Sequence, residues 1–99
     1  MSSSAFNLTG TYHSNKSEYK IVQTGNQIKG YYGNFGSEHS TGQIWGEIEG
    51  NTVKLEWYDP GGSTGTGELT ISPDGSEWRG TWITTNRKHK GKWKLTRVD

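Results

Sequence analysis

The chain has no cysteine and only 2 prolines among its 99 residues. The first absence excludes a disulfide scaffold and a thiolate metal site, and it suits the cytoplasm. Long apolar runs are missing as well: no stretch approaches the ~20 apolar residues that a membrane helix needs. The opening Met1-Ser2-Ser3-Ser4-Ala5 has neither the basic start nor the apolar run of a secretory leader. A cytoplasmic location without a membrane partner is therefore expected. Charge of one sign is missing too, since 11 basic against 10 acidic residues leave a net +1. Binding driven by phosphate neutralisation needs a clustered basic surface, so no nucleic-acid partner is expected. Hydrophobic residues are scarce, at 27%.

Aromatic rings are what the chain does have: 5 Trp, 5 Tyr and 2 Phe, beside 15 Gly. Disordered segments are poor in aromatics, so this is a folded domain whose core is made of a few large rings. Without a collagen period, the glycines read as backbone devices of a β fold. Turn signals recur about every ten residues, the spacing of a barrel or sandwich. Strands are expected near 6–13, 18–23, 28–33, 42–49, 52–58, 65–72, 77–84 and 90–98. The expected architecture is all-β: after a flexible stretch 1–5, residues 6–99 form a single-domain eight-stranded up-and-down antiparallel barrel. A β-sandwich is the alternative, but sequential hairpins without a long crossover favour the barrel.

Short turns set a register that can be checked residue by residue. With Gly50-Asn51 as a two-residue II′ loop, Ile48 faces Val53, Gly46 faces Leu55 and Ile44 faces Trp57, while Glu47 meets Lys54 outside. With Pro73-Asp74-Gly75-Ser76 as a four-residue loop, Ile71 faces Trp78, Leu69 faces Gly80 and Gly67 faces Trp82. A loop Thr24-Gly25-Asn26-Gln27 sets Gln23 against Ile28, Ile21 against Gly30 and Tyr19 against Tyr32. Gly46, Gly67 and Gly80 then face inward, with Trp82 expected over Gly67; a small barrel needs such gaps. A slip of one residue would put lysines inside and tryptophans in water.

The two ends of this barrel are unequal. Tight turns follow strands 2, 4 and 6; the longer connections, which carry all three histidines, share the opposite end. The register sends Tyr12, Tyr19, Tyr32, Trp57, Trp82 and Trp93 inward at the long-loop end. The other end receives Leu8, Ile28, Ile48, Val53, Ile71 and Leu95, with Trp78, Gln23 and Arg97. Rings with polar tips thus line a mouth and aliphatics plug a floor, an arrangement that suits a ligand at the mouth. It also suits a barrel filled with rings as core. His13, Asn15, His39, Asp59, Arg87 and His89 form the loop rim of the expected site. Val22, Tyr31 and Trp45 fall out of phase with the core, on the outer wall of strands 2 to 4. Aromatic patches across adjacent strands mark interfaces, so they are the expected contact of a homodimer or higher homo-oligomer.

Ser14, His13 and Asp59 could be written as a triad, but no nucleophile elbow orients them. His13, His39 and His89 do not have metal-motif spacing. Neither a catalytic residue, a metal nor a cofactor is expected. Arg87-Lys88-His89-Lys90 with Lys92 and Lys94 is the one basic cluster; it could attract an anionic ligand or an acidic protein, though a run this short is more often a solvated hairpin.

The opening Asn7-Leu8-Thr9-Gly10-Thr11-Tyr12 and the closing Trp93-Lys94-Leu95-Thr96-Arg97 resemble the calycin superfamily, which includes lipocalins and avidins. Tyr12 stands where those proteins carry Trp. The resemblance implies an Arg97 at the barrel floor, near Phe6, Leu8 and Trp78, with its guanidinium over a ring. The first third is similar to avidins: Gly10-Thr11-Tyr12, a polar loop ending in Ser17, then Tyr19-Lys20-Ile21-Val22 and Ile28-Lys29-Gly30-Tyr31-Tyr32. By that likeness Ser17 and Tyr32 match positions that contact the biotin ureido group, and Trp57 matches a pocket Trp. No Asp on the last strand matches, and the likeness fades after about residue 58.

The expected function is a non-enzymatic binding protein that takes a small organic or sugar-like ligand at the aromatic-lined open end. Tyr12, Ser17, Tyr19, Tyr32, Trp57, Trp82 and Trp93 are its expected ligand-binding residues. The alternative is a protein-binding module, an inhibitor or assembly factor, that uses the loops or the outer wall.

Overall fold

Eight antiparallel strands run in chain order around one closed barrel, in a computed structural model that describes residues 7–14, 17–34 and 42–98. They are β1 (Gly10–Ser14), β2 (Ser17–Thr24), β3 (Gln27–Asn34), β4 (Gly42–Glu49), β5 (Thr52–Tyr58), β6 (Thr64–Ile71), β7 (Glu77–Thr84) and β8 (Lys90–Arg97). Alternation of side chains across each strand makes the two faces. On β5, Val53, Leu55 and Trp57 are buried while Lys54, Glu56 and Tyr58 are exposed. Among the described residues no helix is long and apolar enough to cross a membrane.

The register is the one the turns dictate. Ile48 pairs with Val53, Gly46 with Leu55, Ile44 with Trp57 and Glu47 with Lys54. Ile71 pairs with Trp78 and Gly67 with Trp82, and Tyr19 with Tyr32. Gly50 (φ 65°) leads the β4–β5 turn in the left-handed backbone that a II′ turn demands of its first residue. The β2–β3 turn is shorter than expected. Thr24 and Gln27 pair directly, so Gly25-Asn26 is a two-residue turn of the same kind, and the register survives because both ends shorten equally.

In the β6–β7 turn the Asp74 carboxylate accepts bonds from the Ser76 hydroxyl (2.7 Å), the Ser76 N–H (3.0 Å) and the Ser72 hydroxyl (2.8 Å). Those donors hold its pKa down to about 2.

Strand β1 is short, and among the described residues its seam with β8 has the pairs Tyr12–Arg97 and His13–Thr96 and a main-chain bond from Val98 N–H to Thr11 (2.9 Å). Side chains close what the ladder does not. The Arg97 guanidinium donates to the carbonyls of Asn7 (2.9 Å) and Thr9 (2.7 Å), and the Gln23 side-chain oxygen accepts from Leu8 N–H (2.7 Å). Residues 7–9 therefore follow the wall without entering the strand expected from residue 6. The ring beneath Arg97 is Tyr12, with the guanidinium 6.0 Å from its centroid; Phe6 lies outside the described residues. Charged hydrogen bonds are worth ~1.5–3 kcal/mol each. Arg97→Ala is expected to destabilise the barrel by about 2–3 kcal/mol in urea denaturation, and an unchanged midpoint would mean that the seam holds by its ladder alone.

At the floor, Leu8, Ile28, Ile48, Val53, Ile71, Trp78 and Leu95 are all buried. Tyr12 joins them rather than the mouth. Its ring packs on Trp78 at a centroid distance of 4.9 Å and its hydroxyl donates to the Leu8 carbonyl at 2.8 Å. Its inward phase near the end of β1 put it at the expected open end, but its side chain leans along the chain toward Leu8.

Candidate functional site

The mouth is built by laying rings on glycines. A Cβ added at Gly42 would lie 2.2–2.6 Å from three ring carbons of Tyr32. One added at Gly65 would lie 2.3 Å from Trp57, at Gly67 2.5 Å from Trp93, and at Gly91 2.9 Å from Trp82. Only glycine leaves room for a ring against the wall there. The ring over Gly67 is thus Trp93 and not its ladder partner Trp82, because Trp82 leans the other way, over Gly91. Trp93 reaches farther still: its indole N–H donates to the Tyr19 hydroxyl at 3.1 Å. It thereby spans the lumen from β6 to β2.

Above this bar lies a pocket of about 250 Å³, lined by Ser14, Ser17, Tyr19, Tyr32, Trp57, Asp59, Trp82, Lys92 and Trp93. Tyr19 and Tyr32 stack with centroids 4.9 Å apart, and Trp57 meets Trp82 edge to face at 6.0 Å. The Trp57 indole donates to the Thr66 carbonyl at 3.3 Å. Asp59 enters from the β5–β6 loop, which main-chain bonds from Asp59 N–H to Ser63 (2.8 Å) and from Gly62 N–H to Asp59 (2.9 Å) hold in shape. Its carboxylate accepts a short hydrogen bond from the Tyr32 hydroxyl.

Burial pushes the Tyr19 hydroxyl up to about 12, against the opposing pull of the Trp93 N–H. Burial raises Tyr32 further still, helped by the bond it gives to Asp59 and by that negative charge. Both phenols are therefore neutral at physiological pH and keep their protons to donate.

Of the residues expected to bind a ligand, Ser17, Tyr19, Tyr32, Trp57, Trp82 and Trp93 come together here; Tyr12 does not. Of the rim, Asp59 turns out to be part of the pocket wall. His13 pairs with Glu18 at 3.3 Å, in line with the outward phase of its position. Arg87 and His89 stay in the β7–β8 loop, where Thr84 and Asn86 bond the backbone of residues 88 and 89. Asn15 and His39 lie outside the described residues. Ser14 was missed although it shares the inward phase of Tyr12 two residues before. Lys92 was singled out only within the basic cluster: it is outward by phase, opposite Thr81, and reaches the rim from the wall. No group of three His, Cys, Asp or Glu side chains among the described residues is arranged to hold a metal ion.

The outer wall has its own features. Val22, Tyr31 and Trp45 are 56%, 54% and 40% exposed, and Tyr58, at 42%, extends the patch to β5. A larger hollow of about 1060 Å³ runs along the outside over Trp45, Glu47, Lys54, Glu56, Glu68 and Thr81. It lies on the solvent-facing wall of β4 to β8 and not in the lumen.

Compared with protein-family profiles, with curated proteins and with solved structures, the chain matches none.

Proposed function

We propose that this barrel is a non-enzymatic binding protein for a small organic molecule taken at its aromatic mouth. The observation that carries the reading is the pocket of about 250 Å³ among Tyr19, Tyr32, Trp57, Trp82, Trp93 and Asp59. It combines apolar ring surface with a few converging polar groups, the usual composition of ligand sites. Its volume falls below the ~300–1,000 Å³ of drug-sized sites, so the ligand is compact. The likeness of the first and last strands to calycins agrees with such a role and makes kinship with that superfamily part of the proposal.

Four tryptophans at or near the lumen make the test direct: intrinsic fluorescence is followed while metabolite pools are titrated in. Tyr32→Ala and Trp57→Ala are expected to abolish the response. Ile28→Val at the floor is expected to leave it intact and to cost about 0.5–1.5 kcal/mol of stability. A ligand that tolerates both mouth substitutions would place binding elsewhere.

A second reading concerns assembly and rests on the exposed patch of Val22, Tyr31 and Trp45. Tyr31 pairs with Gln43 and Gln43 with Tyr58, so Tyr31, Trp45 and Tyr58 surround one small polar residue across three strands. The Lys20 ammonium turns toward Thr11 (3.0 Å), on the side away from Tyr31. We propose a homodimer through this wall. Light scattering at micromolar concentration is expected to give the dimer mass for the wild type and the monomer mass for Trp45→Lys; a monomeric wild type refutes it.

A further inference from the structure

The chemistry of the mouth is more specific than its shape. Tyr32, Trp57 and Trp82 each lay one face against a strand glycine. Tyr19 stacks on the other face of Tyr32, and Trp57 meets Trp82 edge to face, so the ring surface turned to the lumen is chiefly that of the two indoles. Ring faces carry the negative part of the aromatic quadrupole, while the edges are positive. Beside them stands Asp59. Among the described residues its carboxylate has a hydrogen bond from Tyr32 and no ion pair with any Lys, Arg or His. It is half-buried, so its charge is only partly compensated by water. Indole faces and a carboxylate without an ion pair, together in a small pocket, favour a positive charge over a negative one.

Resting on the reading of the mouth as the binding site, we infer that its ligand is a small organic cation bearing a methylated ammonium. Such a group is compact and has no N–H to satisfy. It draws on cation–π attraction, which is strongest over Trp and grows when the site is desolvated. The Tyr32 hydroxyl is the group that orients Asp59: by donating to one oxygen it leaves the other free for the ligand's charge. Lys92 is the opposing element. It is exposed on the outer face of β8 and only its reach brings it to the rim, so water screens its ammonium more than the pocket screens Asp59.

The wild-type protein is titrated, with Trp fluorescence as readout, against tetramethylammonium, choline and the uncharged choline isostere 3,3-dimethyl-1-butanol. Choline and tetramethylammonium are expected to bind, and the isostere at least about tenfold more weakly. Asp59→Asn is expected to weaken choline by about tenfold or more and the isostere far less, and Lys92→Met to strengthen choline by roughly twofold. An isostere that binds as well as choline overturns the inference and leaves the mouth as a site for neutral ligands. If cations are inert while a neutral metabolite binds, the outcome is the same. If nothing in the panel or in metabolite pools binds, both readings fall. A peptide carrying trimethyl-lysine is titrated alongside: binding tighter than choline would keep the cation chemistry but assign it to a protein side chain instead of a free metabolite.

Discussion

Gly80→Ala is expected to be the most damaging single methyl group that can be added to this barrel, with a loss of at least about 3 kcal/mol. A Cβ at Gly80 would sit 1.8 Å from the Glu68 carbonyl oxygen, 2.7 Å from its carbon and 2.7 Å from the Leu69 Cα. All three atoms belong to the backbone of β6, so no rotamer change relieves the clash; one of the two strands must move. Moving it breaks the ladder that pairs Leu69 with Gly80 and Thr70 with Arg79. A domain of this size is stable by only ~5–15 kcal/mol, so the variant is expected to be mostly insoluble or to unfold at far lower urea. Gly67→Ala is the control. Its Cβ would meet the Trp93 ring, which can tilt, so it is expected to fold with a smaller loss and a disturbed mouth. Equal stability of Gly80→Ala and the wild type would show that β6 and β7 are not pinched together there.

Trp78→Ala is expected to cost about 3–5 kcal/mol, the range for emptying a buried aromatic site. Trp78 is fully buried at the floor, against Tyr12, and it pairs with Ile71 on one side and Leu95 on the other. Trp78→Phe separates volume from polarity. Among the described residues the buried Trp78 Nε1–H has no hydrogen-bond partner, a defect that costs ~1–3 kcal/mol by itself. Phe keeps most of the ring contacts and removes that donor. Its loss is therefore expected to stay below about 1.5 kcal/mol, the volume penalty being offset by the relieved N–H. Urea midpoints for the two variants decide it: a Phe variant as weak as the Ala variant would mean that the indole N–H is satisfied.

The strands were legible because each hairpin could be tested locally. Glu47 opposite Lys54, Ile48 opposite Val53 and Tyr19 opposite Tyr32 follow from turn length alone, since side-chain period two leaves no freedom once the turn is set. The rings of the mouth were legible for the same reason: Tyr19, Tyr32, Trp57, Trp82 and Trp93 share the inward phase at one end. Phase does not tell which way along the lumen a side chain leans. Tyr12 has the same phase and ends at the floor, drawn by the Leu8 carbonyl and the Trp78 ring.

Asp59 marks the other limit. Its contact with Tyr32 joins residues 27 apart across β4, and nothing near either residue announces it. Trp93 and Tyr19 are 74 apart and meet only because the barrel closes. By itself, then, the order of residues determined the class, the strand count, the register and which face of each strand is inside, all consequences of local turn chemistry and a period of two. The tertiary structure alone decided which rings meet across the lumen, which glycine each ring covers, and that the Asp59 carboxylate moves from the rim to bond Tyr32. Those contacts are set by closure and strand coiling, which bring distant parts of the chain together at angles no local pattern encodes.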